Sequence, residues 1–113
     1  MKVAVIGSRG FKNYELLRST LSTLDISLII SGGAMGADTL AEVYAKEKGI
    51  ETKVFIPDWK THGKKAGFLR NTDIVNESDL VVAFWDGLSR GTEDSIKKAQ
   101  KLNKRILLVH YND

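Results

Sequence analysis

Three short stretches hold the residue types best suited to chemistry. Gly7-Ser8-Arg9-Gly10 follows the first apolar run, Ser31-Gly32-Gly33-Ala34-Met35-Gly36-Ala37-Asp38 the second, and Trp85-Asp86-Gly87-Leu88-Ser89-Arg90-Gly91-Thr92 a later one. Together they contain seven of the ten glycines in the chain, a concentration that turn formation alone does not require. A glycine-rich turn leading into a helix lets backbone come close to a ligand, and the unpaired amides of the first helical turn point at an anion. Gly32, Gly33 and Gly36, ahead of a helix starting near Ala37, form one such cradle, and Gly91 with Thr92 forms a second. Each turn taken singly could be no more than a tight strand-to-helix connection. Both together, with Ser8 and Arg9 beside them, suit a phosphate. The spacing Gly7-x-x-Gly10 is not G-x-G-x-x-G, so a standard NAD site is not expected.

A second candidate region is the polar stretch from Pro57 to Asn71, PDWKTHGKKAGFLRN. Long connections in small domains are usually lids or binding loops. Trp59 could stack on a base or merely cover the end of the sheet. Lys64 and Lys65 add positive charge, and Arg70 with Asn71 opens the way to a phosphate or ribose, although Arg70 could instead pair with Asp73 or Glu77.

Residues for bond cleavage are sparser. His62 and His110 share no spacing, which argues against a histidine metal site, and neither Ser8 nor Ser31 has an evident histidine base. Asp38, Asp58 and Asp86 fall near strand ends, where one could activate water or hold Mg²⁺ through a phosphate, with capping as the commoner role. No cofactor is required by any of these patterns.

The elements that must position these residues follow from periodicity. Val3–Gly7, Leu28–Ile30, Lys53–Ile56, Leu80–Phe84 and Arg105–His110 are apolar and β-branched on consecutive positions, as in parallel strands covered on both faces. Between them, Tyr14, Leu17, Leu21 and Leu24 make one helical stripe, and Ala37, Leu40, Ala41, Tyr44 and Ala45 make another that Gly49 can end in a left-handed conformation. A third helix is expected over about 65–75 and a fourth from Thr92, whose hydroxyl would cap it. The alternation predicts an α/β three-layer Rossmann-like sandwich, a single domain over residues 1–113 with a five-stranded parallel sheet in the order 3-2-1-4-5. Ligands of such sheets bind outside the carboxyl ends of the strands where strand order reverses, here between the first and fourth strands.

The 113 residues include 17 Lys and Arg, 14 Asp and Glu, one Pro and no Cys, for a formal charge of +3. The absence of cysteine excludes a disulfide framework, a thiol nucleophile and a cysteine zinc site. No apolar run approaches the roughly 20 residues of a membrane span, and the first strand starts so early that no signal peptide is expected, so the reading is cytoplasmic. The basic residues are spread over segments that also carry acids, which on this reading disfavours nucleic acid as the partner.

The run Ile30 to Asp38, together with Gly7-Ser8-Arg9, Ala66-Gly67-Phe68-Leu69-Arg70-Asn71, Ala83-Phe84-Trp85-Asp86-Gly87 and Ser89-Arg90-Gly91-Thr92, resembles the YspA-like, cpYpsA-related branch of the SLOG superfamily, kin to DprA and to the Lonely-guy phosphoribohydrolases. The resemblance implies a Rossmann-like fold that binds nucleotides or nucleotide-derived signals. Some relatives cleave the N-glycosidic bond of nucleoside monophosphates with a glutamate in G-G-x-G-T-x-x-E. In this chain that position is Ser95, and Leu88-Ser89 replaces the leading Gly-Gly, while Glu93 is a neighbour projecting elsewhere. Arg70 would stand for the arginine those enzymes carry after the third strand.

The expected function is therefore binding of a nucleotide or nucleotide-derived ligand, as sensor or carrier, at Gly7, Ser8, Arg9, Ser31, Gly32, Gly33, Ala34, Gly36, Ala37, Asp38, Trp59, Lys64, Arg70, Asn71, Trp85, Asp86, Ser89, Gly91 and Thr92. A hydrolase using Asp86, Glu93 or Arg70 is one alternative, and single-stranded nucleic acid binding of the DprA kind is the other. Self-association into a homodimer or larger oligomer is also compatible with so short a chain.

Overall fold

The alternation of side chains along the strands assigns each apolar residue to one of two layers. In β1 (Lys2–Gly7), Val3 and Val5 face one side of the sheet and Ala4 and Ile6 the other. The computed structural model describes residues 1–112. It continues through α1 (Tyr14–Leu21), β2 (Leu28–Ser31), α2 (Ala37–Lys48), β3 (Glu51–Val54), α3 (Trp59–His62), a 3₁₀ turn at Gly63–Lys65, α4 (Ala66–Glu77), β4 (Leu80–Trp85), α5 (Arg90–Lys101) and β5 (Arg105–His110). All four strand pairings are parallel and the order is β3-β2-β1-β4-β5, as expected.

One face of the sheet packs Val3, Val5, Ile29, Val82 and Phe84 against Leu17 and Leu21 of α1 and Ala41, Tyr44 and Ala45 of α2. The opposite face packs Ala4, Ile6, Ile30, Val81 and Ala83 against Ile74 and Val75 of α4 and Ile96 and Ala99 of α5. The three layers thus come from two helix pairs on a two-faced sheet. Gly49 ends α2 at φ 67°, the left-handed conformation anticipated for it.

Four local expectations are corrected. The helix pairs cover the edge strands only in part, so every residue of β3 is exposed, and on β5 Leu107 (37%) and Leu108 (48%) remain in solvent despite their apolar character while Ile106 and Val109 pack against the two cores. β3 also lies two residues earlier than its apolar run suggested, because its pairing with β2 matches Leu28 to Glu51. The stretch expected as a loop after β3 contains α3 and the 3₁₀ turn, with Asp58 capping α3 by accepting from Thr61 N (3.2 Å). Finally, α5 starts at Arg90, capped by Ser89 Oγ, which accepts from Thr92 N. Ser89 wins this role because it carries the extended backbone of a cap (φ −62°, ψ 119°), which leaves Gly91 and Thr92 inside the first helical turn.

Candidate functional site

β1 and β4 run side by side at the centre of the sheet, and their following turns diverge to opposite faces. A crevice of about 440 Å³ opens between them. Its walls are the β1–α1 turn (Gly7, Ser8, Arg9, Gly10), Ala34 and Asp38 at the start of α2, Arg70 and Asn71 on α4, and Asp86, Ser89, Gly91 and Thr92 around the start of α5. This is the reversal point of strand order, where parallel sheets hold ligands.

Two cations and two carboxylates face this space, in four different states. Arg70 is half-buried and committed: Nη1 donates to the carbonyls of Gly32 (2.6 Å) and Phe55 (3.4 Å), and Nε donates to Asn71 Oδ1 (3.1 Å). It pairs with neither Asp73 nor Glu77; burial draws its pKa down while Asp38 opposes the shift. Arg9 is exposed and makes no hydrogen bond or ion pair among the described residues. Asp38 is buried and accepts from Gly32 N (2.9 Å) and Ala34 N (3.2 Å). Burial pushes its carboxyl up to about 6, against the pull of those two amides and of Arg70. Asp86 is held below the usual carboxylate range because its Oδ1 accepts from Leu88 N (2.8 Å) and Ser89 N (2.9 Å), closing the turn ahead of α5.

The start of α5 supplies backbone donors. The first bond of the helix runs from Glu93 N to Ser89 O, and the amides of Arg90 and Gly91 before it have no partner among the described residues. Such amides, with the positive end of the helix dipole behind them, attract an anion. A Cβ built on Gly91 would meet nothing within 4 Å. Its backbone is ordinary helix, where glycine costs about 1 kcal/mol relative to alanine, so packing gives no reason for it. The glycines of the β2–α2 turn differ. A Cβ on Gly36, at φ 82°, would collide with the carbonyl of Ser8 and lie 2.7 Å from that of Arg9, and one on Gly32 would lie 2.7 Å from Arg70 Cζ.

The structure therefore brings together Gly7, Ser8, Arg9, Ala34, Asp38, Arg70, Asn71, Asp86, Ser89, Gly91 and Thr92. Ser31, Gly32, Gly33, Gly36, Ala37, Trp59, Lys64 and Trp85 do not line the crevice. Trp85 braces it, its Nε1 donating to Ser89 O (3.1 Å), and Gly32 serves as a partner of Arg70 and Asp38. Trp59 is 56% exposed on α3, and Lys64 is exposed in the 3₁₀ turn. Glu93 pairs with Lys97 Nζ (3.2 Å) on an exposed side of α5. Gly10, Ile74 and Ser95 line the crevice and were not singled out as binding residues. Helical spacing could have found two of them, since Ile74 is i+4 from Arg70 and Ser95 is i+3 from Thr92. Among the described residues, no three His, Asp or Glu side chains are placed to hold a metal ion, and no helix is long and apolar enough to cross a membrane.

Residues 1–62 match the model of the family described as "YspA, cpYpsA-related SLOG family", and the chain is 33% identical to "Gene 61 protein" of Mycobacterium phage D29 over 99% of its own length and 97% of that protein. The chain belongs to this SLOG family. Among solved structures, the fold is similar to DNA processing protein A (DprA) of Streptococcus pneumoniae, with a TM-score of 0.83 at 21% identity. It is also similar to DprA of Helicobacter pylori, with a TM-score of 0.76 at 24% identity, in a structure described as giving that protein's single-stranded DNA binding mode. This SLOG chain is covered almost completely in both comparisons, 98% and 99%, and spans 50% and 66% of the two DprA chains. The expectation that nucleic acid is disfavoured as a partner is thereby corrected. It rested on a modest net charge with basic residues spread among acids, and a protein of the same fold, DprA of H. pylori, is described with a single-stranded DNA binding mode. A sum of charges says nothing of where a single uncommitted arginine stands.

Proposed function

We propose that this SLOG protein binds single-stranded nucleic acid, taking a backbone phosphate in the crevice between Arg9 and the start of α5. The observation that carries the reading is the convergence of an uncommitted cation, the unpartnered amides of Arg90 and Gly91, and the space left by the missing Cβ of Gly91. Arg9 supplies the charge, while the amides supply short-range donors, joined by whichever hydroxyl of the Ser89–Thr92 pair, 3.1 Å apart, does not donate to the other. Arg70 does not need to touch the ligand: by tying Gly32 O and Phe55 O together it holds the far wall in place. The DprA fold supports a polymeric ligand over a free one.

Fluorescence anisotropy with a labelled octathymidylate tests this. Binding is expected to weaken as salt rises, with a slope reduced by about 0.7 in Arg9→Ala, the value for one phosphate contact to a single strand. An octathymidylate that fails to bind, or binds with no response to salt, overturns the reading.

A second reading, a free nucleotide or nucleotide-derived ligand, draws on one specific feature. The crevice is within the range of small-molecule sites, and its two arginines are balanced by Asp38 and Asp86, so it is not an extended basic channel. Under this reading nucleoside monophosphates raise the melting temperature and compete fully with the oligonucleotide.

A further inference from the structure

A second cavity, of about 490 Å³, lies on the other side of the β1–α1 turn from the phosphate crevice. Its lining includes Arg9, Gly10, Phe11 and Lys12 from that turn, and Met35 and Leu40 from the approach to and first turns of α2. Arg9 and Gly10 line both cavities, so the two border one another at that arginine. The surface is mostly apolar, its rim carries Arg9 and Lys12, and no acidic residue among the described ones lines it. Met35 is 72% exposed, although it sits in a turn that holds two left-handed glycines, Gly33 at φ 69° and Gly36 at φ 82°. A large apolar side chain held out on a constrained turn serves no packing purpose in this fold. Gly10 adds an independent observation: its φ is not left-handed and a Cβ there would meet nothing within 4 Å, so neither backbone conformation nor packing requires glycine where the two cavities border one another.

We infer that this shelf seats a nucleobase of the strand whose phosphate occupies the crevice, with the base lying on Met35 and the aliphatic edge of Leu40 while Lys12 meets the next phosphate. The inference rests on the single-strand reading above. The chemistry fits: a thioether makes favourable contacts with flat aromatic rings, every base has such a face, and an apolar shelf rimmed by Arg9 and Lys12 matches a base flanked by phosphates. The ligand then occupies two subsites joined at Arg9, which predicts that oligonucleotides bind more tightly than mononucleotides and with little sequence preference.

The test compares wild type, Met35→Ser and Met35→Leu with three probes: octathymidylate, the same length of abasic deoxyribose phosphate, and thymidine 5′-monophosphate. Met35 is exposed, and thermal unfolding verifies that both variants keep the wild-type fold. The expected result is a loss of roughly fivefold or more in octathymidylate affinity for Met35→Ser, near wild-type affinity for Met35→Leu, and no difference between variants for the abasic strand, which has no base to seat. If wild type binds octathymidylate and Met35→Ser binds it equally well, the shelf is not a base subsite, while the crevice reading stands. An equal loss for all three probes also overturns it, since Met35 would then act only through the crevice. Light scattering that finds a wild-type dimer dissociated by Met35→Ser overturns it in favour of a second copy on the shelf. Failure of wild type to bind any strand overturns both this inference and the reading beneath it.

Discussion

The turns ahead of α2 and α5 both bring glycine to the carboxyl edge of the sheet, yet they use it for opposite ends. In the first, Gly36 must pass against the carbonyls of Ser8 and Arg9 at φ 82°, and Gly32 lies against the guanidinium of Arg70, so the missing side chains are filled by the protein itself. In the second, Gly91 stands in regular helix with open space where its Cβ would be, and Ser89 rather than glycine caps the helix. One turn is part of the scaffold and the other borders an empty volume. A glycine-rich motif at a helix N-terminus is therefore not by itself a ligand cradle: what separates the two is whether protein atoms or solvent occupy the missing side chain's place.

Substitutions can break or sharpen that contrast. Gly36→Ala is expected to have the largest effect, a loss of about 3–5 kcal/mol in urea unfolding, from a left-handed backbone combined with a collision against main chain. Wild-type stability for Gly36→Ala would make the first turn as permissive as the second.

Asp38 belongs to the scaffold turn, where it holds Gly32 N and Ala34 N. Its carboxyl titrates near 6 when folded against an ordinary 3.8, so the folded state binds the proton more tightly. Folding at this site therefore gains as pH falls from 7 toward 4 and loses as pH rises through about 6. Asp38→Asn carries no charge to bury. Its stability relative to wild type is expected to decline on going from pH 7 to pH 4, by on the order of 3 kcal/mol, in thermal or urea unfolding at each pH. A constant difference across that range would mean that the carboxyl is not desolvated by the turn.

Gly91 should behave in the reverse manner to Gly36. Gly91→Val is expected to leave stability within about 1 kcal/mol of wild type while lowering octathymidylate affinity about tenfold, because the isopropyl group enters the space assigned to phosphate. Unchanged affinity would remove the functional half of the comparison. The smallest effect is expected at Trp59→Ala, which lies outside both cavities: octathymidylate affinity should stay within about twofold, and a larger loss would extend the binding surface to α3.

Much of the fold was legible in the chain because each strand is short and apolar and each helix carries its own stripe. Val3 to Gly7 and Leu80 to Phe84 pair side by side as anticipated. The edge strands were less legible, since Leu107 and Leu108 read as interior residues and only the reach of the helices leaves them exposed. In the site, Gly7, Ser8, Arg9, Arg70, Asn71, Asp86, Ser89, Gly91 and Thr92 could be proposed from their places after strands, and all line the crevice. Trp59 and Lys64 could not be excluded in the same way, because proximity to Arg70 along the chain does not disclose that α3 and the 3₁₀ turn hold them outside the crevice. Gly10 and Met35 lay within the glycine-rich stretches but were not separated from their neighbours there, one being a common turn residue and the other an ordinary apolar one.

By itself the sequence determined the alternation of strands and helices, the parallel order β3-β2-β1-β4-β5 and the edge of the sheet where the crevice opens. These follow from local periodicity and from the handedness of crossovers, which act over a few tens of residues. Only the tertiary structure decided which glycines are filled by protein and which face open space, which arginine is spent on carbonyls and which stays uncommitted, and that Asp38 is buried enough to titrate near 6. Those properties depend on atoms brought together from turns as far apart as Arg9 and Gly91, and a linear pattern carries no distance between them.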